Sequence, residues 1–412
     1  MIKRKLTICK VLKNSGKVLE RVDQTLQNYS RMKYFAFCGI CLMIITANCS
    51  SEQQEPFSGL PGGHEGPSET AGPPIDPESW HIVPGNILDE NDVWGNRVNP
   101  RTTFKIPGGM GLMYTSHPGV ERMQDLEWRE EQERLGVVRA GAGSFAFTND
   151  LVNWYDFPGN PVVNKVQNAW QSPHRAALRD LLYDPVSDQW VVYFSDAGGD
   201  YPGIRAVGAA YSKDLINWEY MDRPMITIND YASWVPERIV ATDQELLEGG
   251  RVYHEWAIYH HGKYYFSLNG STRTGEGRTY SSILLVSDSP TGPFERIKDV
   301  EEDYQPPGAN KPVYWEGKWY SIFTGNWDGQ PGFGLAWSDK LTGPYQENPH
   351  NPIIAVESIQ RSHPYLFNYE GLWGVLFSRG GDATVTLPLR MAIANIHPSL
   401  LQFDRNNHEH DE

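Results

Sequence analysis

Two acids stand at points where packing alone gives little reason for them. Asp180, in LRDLLYD, and Glu255, in YHEWAIY, each open a run of apolar residues. A carboxylate buried at the start of an apolar strand is costly unless it is paired or solvated. A pair of such groups supports general acid/base chemistry, in which one carboxyl protonates a leaving oxygen and the other activates water or attacks carbon. Glu255 lies between His254 and Trp256, where desolvation raises a carboxyl toward the pKa of a proton donor, and is assigned as the acid. Asp180 follows Arg179, whose guanidinium would keep it ionised or orient it, and is assigned as base or pKa modulator, with the two roles exchangeable. Glu237, in SWVPERIV, is a third candidate carboxyl.

These acids belong to a larger set of polar residues at equivalent places. In chain order the set is Arg97, Asn99 and Arg101; His174, Arg175, Arg179 and Asp180; His254 and Glu255; Asn310 and Lys311; Arg361 and His363. For any single member the competing reading is a salt bridge or a solvated rim; their recurrence favours a shared site. The basic members would make a locally positive pocket suited to a carboxylate, sulfate or phosphate. Trp94, Trp170 and Trp256 are candidate stacking platforms, although Trp serves core packing equally well.

The elements that must position them are repeats. VYHEWAIYHHGKYYFSLN (Val252 to Asn269) has a polar start, an apolar strand, a turn and an aromatic strand, and relatives of it begin near residues 99, 180, 310 and 363. A second half recurs as TNDLVNW, SKDLINW, SDSPTGPF and SDKLTGPY, in which Asp, Asn and Gly form an outer turn. Trp154, Trp218, Phe294 and Tyr345 are expected to cover the blade edge. Units of roughly 50 to 80 residues with four short strands each predict an all-β fold, a five-bladed β-propeller. Asp125 to Arg134 is the best short helix candidate.

With GKYYF (Gly262 to Phe266), GKWYSIF (Gly317 to Phe323) and the SKDLINW turns in view, the chain resembles the five-bladed propeller glycosidases of families 43, 32, 68, 117 and 130. The resemblance covers roughly Asn86 to Ile396. It implies glycosidic bond cleavage in a central funnel where the inner strands begin, on an oligosaccharide or polysaccharide substrate. No cofactor is implied beyond a structural Ca²⁺ on the propeller axis, and no catalytic transition metal. One departure matters: families 43 and 32 place Asp-Pro on the first inner strand, whereas this chain has Asn99-Pro100. Asn-Pro is the family 130 pattern, so the resemblance leaves open a hydrolase, a phosphorylase and a glycan-binding protein that has lost hydrolysis.

The remaining sequence sets the context. Tyr34 to Ala47 is an apolar run too short to span a bilayer, as in a secretory signal. Thr46-Ala47-Asn48-Cys49 resembles a lipobox, which predicts lipidation at Cys49. The expected organisation is 1–31 as a mis-start or extended n-region, 32–49 as lipoprotein signal, 50–78 as a flexible tether, 79–400 as the propeller and 401–412 as a polar tail. This predicts a bacterial outer-membrane or cell-surface location, otherwise periplasmic or secreted, with membrane contact through the anchor only. All four Cys lie at or before residue 49, so the rest of the chain has no thiol nucleophile. Residues 50–412 carry 27 Lys+Arg against 49 Asp+Glu, a net of −22, which argues against nucleic acid as a partner. A serine nucleophile elbow and a Gly-rich phosphate loop are both missing from the sequence.

Overall fold

A computed structural model describes residues 72–88, 97–117, 124–136, 141–151, 153–164, 176–196, 206–235, 251–274, 277–297, 310–360, 362–378 and 388–395. Five antiparallel sheets form a five-bladed β-propeller. The first strand, β1 (Trp80–Ile82), belongs to the last blade. Blade 1 is β2 (Arg97–Ile106), β3 (Gly109–His117), β4 (Ala142–Thr148) and β5 (Tyr155–Asp156). Blade 2 is β6 (Ala176–Asp184), β7 (Gln189–Asp196), β8 (Ala206–Ser212) and β9 (Glu219–Tyr220). Blade 3 is β10 (Arg251–His260), β11 (Lys263–Thr274), β12 (Gly277–Ser287) and β13 (Glu295–Arg296). Blade 4 is β14 (Val313–Trp315), β15 (Lys318–Trp327), β16 (Gln330–Ser338) and β17 (Gln346–Glu347), with β18 (Ile354–Ala355) also paired to β16. Blade 5 is β19 (Tyr365–Tyr369), β20 (Leu372–Ser378) and β21 (Leu389–Ala394), and β1 completes it by pairing Trp80 with Ala394.

Sheets packed between neighbours bury strands along most of their length: β4 and β8 are buried at six of seven positions and β20 at every position. One core lies between blades 2 and 3 around Tyr193, Tyr264 and Phe266, and another between blades 4 and 5 around Phe333, Trp373 and Phe377. Inner hairpins close on two-residue turns, His261-Gly262, Glu316-Gly317 and Glu370-Gly371, with positive φ at both residues. That geometry matches the twist of the flanking strands.

The outer turns are a repeated local device. Asp150 accepts from the Asn153 backbone N–H and its side-chain amide (2.8 and 2.6 Å), and Asp214 does the same for Asn217 (2.8 and 2.6 Å). Behind them the Trp154 and Trp218 indoles donate to the carbonyls of Leu151 and Leu215 (3.1 and 3.2 Å).

Two α-helices occur among the described residues. The sequence-based candidate folds as α1 (Leu126–Arg134), with the Asp125 side chain capping the Trp128 N–H. The second, α2 (Ile228–Trp234), was not foreseen, although Thr227 and Asp230 spell a capping box. Its Tyr231 ring packs where a Cβ on Gly270 would stand, which is why that position in β11 is glycine.

Candidate active site

Three inner strands share an irregularity. In β2, β6 and β10 the ladder slips between Pro100 and Thr102, between Leu178 and Asp180, and between His254 and Trp256. The extra residues are Arg101, Arg179 and Glu255. A bulge frees one residue from the ladder and re-aims its side chain. Counted back from the closing pairs of their hairpins, all three stand at the same step of successive blades, so two guanidiniums and one carboxyl share a tier around the channel.

Arg101 donates from Nε to Thr115 Oγ1 (2.8 Å), and that hydroxyl donates to the Leu178 carbonyl (2.8 Å), which ties blade 1 to blade 2. The Arg179 guanidinium lies over the Tyr253 ring, 5.1 Å from its centroid, a cation–π arrangement. Arg179 Nε is buried without a hydrogen-bond partner among the described residues. Glu255 is half-buried. Burial raises its pKa, with Arg179 and then Arg101 opposing the rise, and the net shift is upward.

One step further along the strands stand Thr102, Asp180, Trp256, Lys311 and Tyr365. Asp180 is 1% exposed. It accepts a short hydrogen bond from Thr102 Oγ1, 2.6 Å from the Ala257 N–H, and 3.0 and 3.1 Å from Lys311 Nζ at its two oxygens. Lys311 Nζ also donates to the Leu181 carbonyl (3.3 Å). Burial alone would push Asp180 up, but the Lys311 ammonium, with His254 and the Thr102 hydroxyl, leaves it below the usual carboxylate value. The Tyr365 hydroxyl accepts from the Thr103 N–H (3.3 Å), so blade 5 also reaches this tier.

His254 is fully buried against the rings of Phe266 (3.9 Å) and Tyr193 (4.8 Å), which also touch each other (5.1 Å). Its Nε2 is 3.8 Å from Asp180 Oδ2, beyond hydrogen-bond reach, and neither ring nitrogen has a partner among the described residues. Burial drives its pKa down to about 4, so it is a neutral ring at pH 7.

Other candidates fall as follows. Asn99 is buried and its Oδ1 accepts from Ser378 Oγ (3.2 Å). The Asn310 amide donates to the Ile322 carbonyl (2.7 Å). His363 is exposed in a left-handed conformation (φ 42°) just before β19. Only the strand position of Arg97 is described; Trp94, Trp170, His174, Arg175, Glu237, Arg361 and Cys49 lie outside the described residues. Trp256 is corrected from stacking platform to core: it is 1% exposed and packs with Leu284, Trp319 and Leu341 between blades 3 and 4. Thr102, Tyr253 and Tyr365 were missed. Thr102 and Tyr365 stand at the same step as Asp180, so aligning the units on their hairpin turns would have found them.

The axial Ca²⁺ does not fit these residues. Both Asp180 oxygens are engaged, and an ammonium already lies between them and the Leu181 carbonyl. Among the described residues no three His, Cys, Asp or Glu are gathered as a metal would require. At the opposite mouth of the channel is a bowl of about 810 Å³, with Trp190, Tyr259 and Tyr314 on its walls and Thr102 and Lys311 also lining it.

No family model matches the chain, and no curated protein matches it. Among solved structures it is similar to a family 43 β-xylosidase/α-arabinofuranosidase from a compost microbial metagenome, solved with xylotriose in a calcium-free form. That pair has TM-score 0.47 and 11% identity, covering 77% of this chain and 99% of the other. It is also similar to the α-L-arabinofuranosidase PaAbf62A of Podospora anserina in complex with cellotriose (TM-score 0.47, 13% identity, 79% and 100% covered). A third similar structure is a family 117 glycoside hydrolase of Zobellia galactanivorans (TM-score 0.45, 11% identity, 79% and 92% covered).

Proposed function

We propose that the protein is a glycoside hydrolase that cleaves a terminal or short-chain glycosidic bond of a polysaccharide-derived, anionic oligosaccharide bearing a uronate or sulfate. The observation that carries this reading is Glu255: a half-buried carboxyl on a bulge beside two guanidiniums, its pKa shifted upward. In its protonated form it donates its proton to the leaving oxygen as the bond breaks. Arg101 and Arg179 bind the substrate's anionic group and hold the sugar against the acid. Asp180 takes the modulator role: its oxygens are already occupied, and its bond to the Ala257 N–H fixes the strand just past the Glu255 bulge. Glu237 is the second carboxyl of this reading, acting on the water. Lipidation at Cys49, with a cell-surface location, belongs to the same proposal.

The test is product release from neutral, uronate-bearing and sulfated oligosaccharides by wild type, Glu255→Gln and Glu237→Gln, with and without inorganic phosphate. Phosphate-independent cleavage lost in both variants supports the hydrolase and its pair. Full activity in Glu255→Gln sinks it. A phosphorylase is the second reading, favoured by Asn99 standing buried where a base would be needed and by the paired guanidiniums; a sugar 1-phosphate product would establish it. For the anchor, fatty-acid labelling that persists in Cys49→Ser would remove that part.

A further inference from the structure

We propose that Lys311 is the protein's own axial cation, a resident ammonium that balances Asp180 in place of a metal ion and, through Asp180, sets the stance of Glu255. Lys311 precedes β14 in blade 4 and reaches across the channel to blade 2. Its three donors meet three oxygens: Asp180 Oδ1 at 3.0 Å, Asp180 Oδ2 at 3.1 Å and the Leu181 carbonyl at 3.3 Å. A lysine ammonium is a compact point charge, and here it sits among oxygens of the kind that would otherwise hold a hard cation.

The remaining capacity of Asp180 goes to the Thr102 hydroxyl on blade 1 and the Ala257 N–H on blade 3. Four blades therefore meet at one carboxylate. The Ala257 N–H matters most for function, because it belongs to the strand immediately after the bulge that carries Glu255. An ionised Asp180 accepts that bond fully. Without a cation beside it, a carboxylate 1% exposed takes up a proton or moves toward water, and the backbone behind Glu255 loses its anchor. Lys311 also lines the bowl at the far mouth, with 15% of its side chain exposed. A soluble cation therefore has a route to the seat once the ammonium is removed.

The test compares melting of the full chain in EDTA and in excess Ca²⁺ for wild type, Lys311→Ala, Lys311→Met and Lys311→Met/Asp180→Asn. Wild type is expected to melt at one temperature in both. Lys311→Ala is expected to melt lower in EDTA and to rise with Ca²⁺, because the vacated seat keeps its carboxylate. Lys311→Met fills the space without charge and stays low in both, and adding Asp180→Asn recovers part of the loss by removing the stranded charge. Three results would overturn the proposal: wild type that falls in EDTA and recovers with Ca²⁺, Lys311→Ala indifferent to Ca²⁺, or a double variant no more stable than Lys311→Met. The wild-type arm decides even where a variant fails to fold. A second arm rests on the glycosidase reading: on a cleaved aryl glycoside, Lys311→Met should lower kcat at least ~10-fold with KM little changed, whereas a raised KM with kcat unchanged would make Lys311 a binding residue. The melting arm does not depend on that reading, so the two can fail separately.

Discussion

Two tiers of the channel, one step apart on the same strands, treat the same chemical group in opposite ways. In the bulge tier, Glu255 is raised by burial and Arg179 keeps a buried Nε without a partner among the described residues. In the tier beneath, Asp180 is more deeply buried yet lowered, because an ammonium, a hydroxyl and a backbone N–H converge on it. Burial alone therefore does not decide which way a carboxyl's pKa moves; the partners do. What separates the two is local: Arg179 Nε is buried with no partner among the described residues, whereas the Asp180 carboxylate is fully engaged.

The contrast can be broken from either side. The largest effect is expected at Glu255→Gln, which keeps the shape of the bulge but removes the proton: glycoside cleavage should fall by roughly 10²- to 10⁴-fold with melting little changed. Lys311→Met, in the lower tier, should instead unfold the protein more easily, by about 3–5 kcal/mol in denaturant titration, the usual consequence of stranding one partner of a buried pair.

His254, beside the lower tier, gives the contrast a pH signature. Its folded pKa of about 4 lies below the ordinary 6.5, so between those values the unfolded chain binds more protons and stability falls with acid. The contribution is about 3 kcal/mol, fully present above pH 6.5 and lost as pH falls toward 4. Glu255, shifted upward, works against this slope above its own ordinary value. Melting curves from pH 7 to 4 should therefore be steeper in Glu255→Gln and flatter in His254→Phe than in wild type.

Arg179→Lys keeps the charge but loses the planar stack on Tyr253, and KM for an anionic substrate should rise about tenfold with kcat less affected. The smallest effect belongs far from both tiers: Trp154→Phe should cost about 1 kcal/mol, the worth of the indole bond to the Leu151 carbonyl, and should leave catalysis alone.

What the sequence disclosed follows the range of the interactions. The hairpins and outer turns were legible because their signals are local: a Gly after a residue that tolerates positive φ, an Asp that bonds an Asn three residues on. The polar starts were legible because charges at apolar strand ends stand out. The bulges were not, since a one-residue slip depends on how two strands pair; Arg179 and Glu255 were noticed without the reason that makes them equivalent. Lys311 was noticed as a funnel residue, but its partner lies two blades away and no local pattern joins them. Trp256 shows the opposite error, because its neighbour Glu255 turns toward the channel while the strand's next residue turns into the core. The capping box before Ile228 is plainly written in Thr227 and Asp230, but the seven residues that follow are too few to show a helical period.

The pairing of Trp80 with Ala394 gives this ring a clasp whose two halves lie at opposite ends of the folded chain. Loop-closure entropy makes so distant a contact the last to repay its cost, and a ribosome delivers β1 long before β21 exists. During that interval the first strand waits with an open edge, exposed to association with other chains. A circular permutant that joined β21 to β1 by a short turn would replace the clasp with an ordinary hairpin. It should speed folding and suppress aggregation during synthesis while leaving both tiers of the channel as they are.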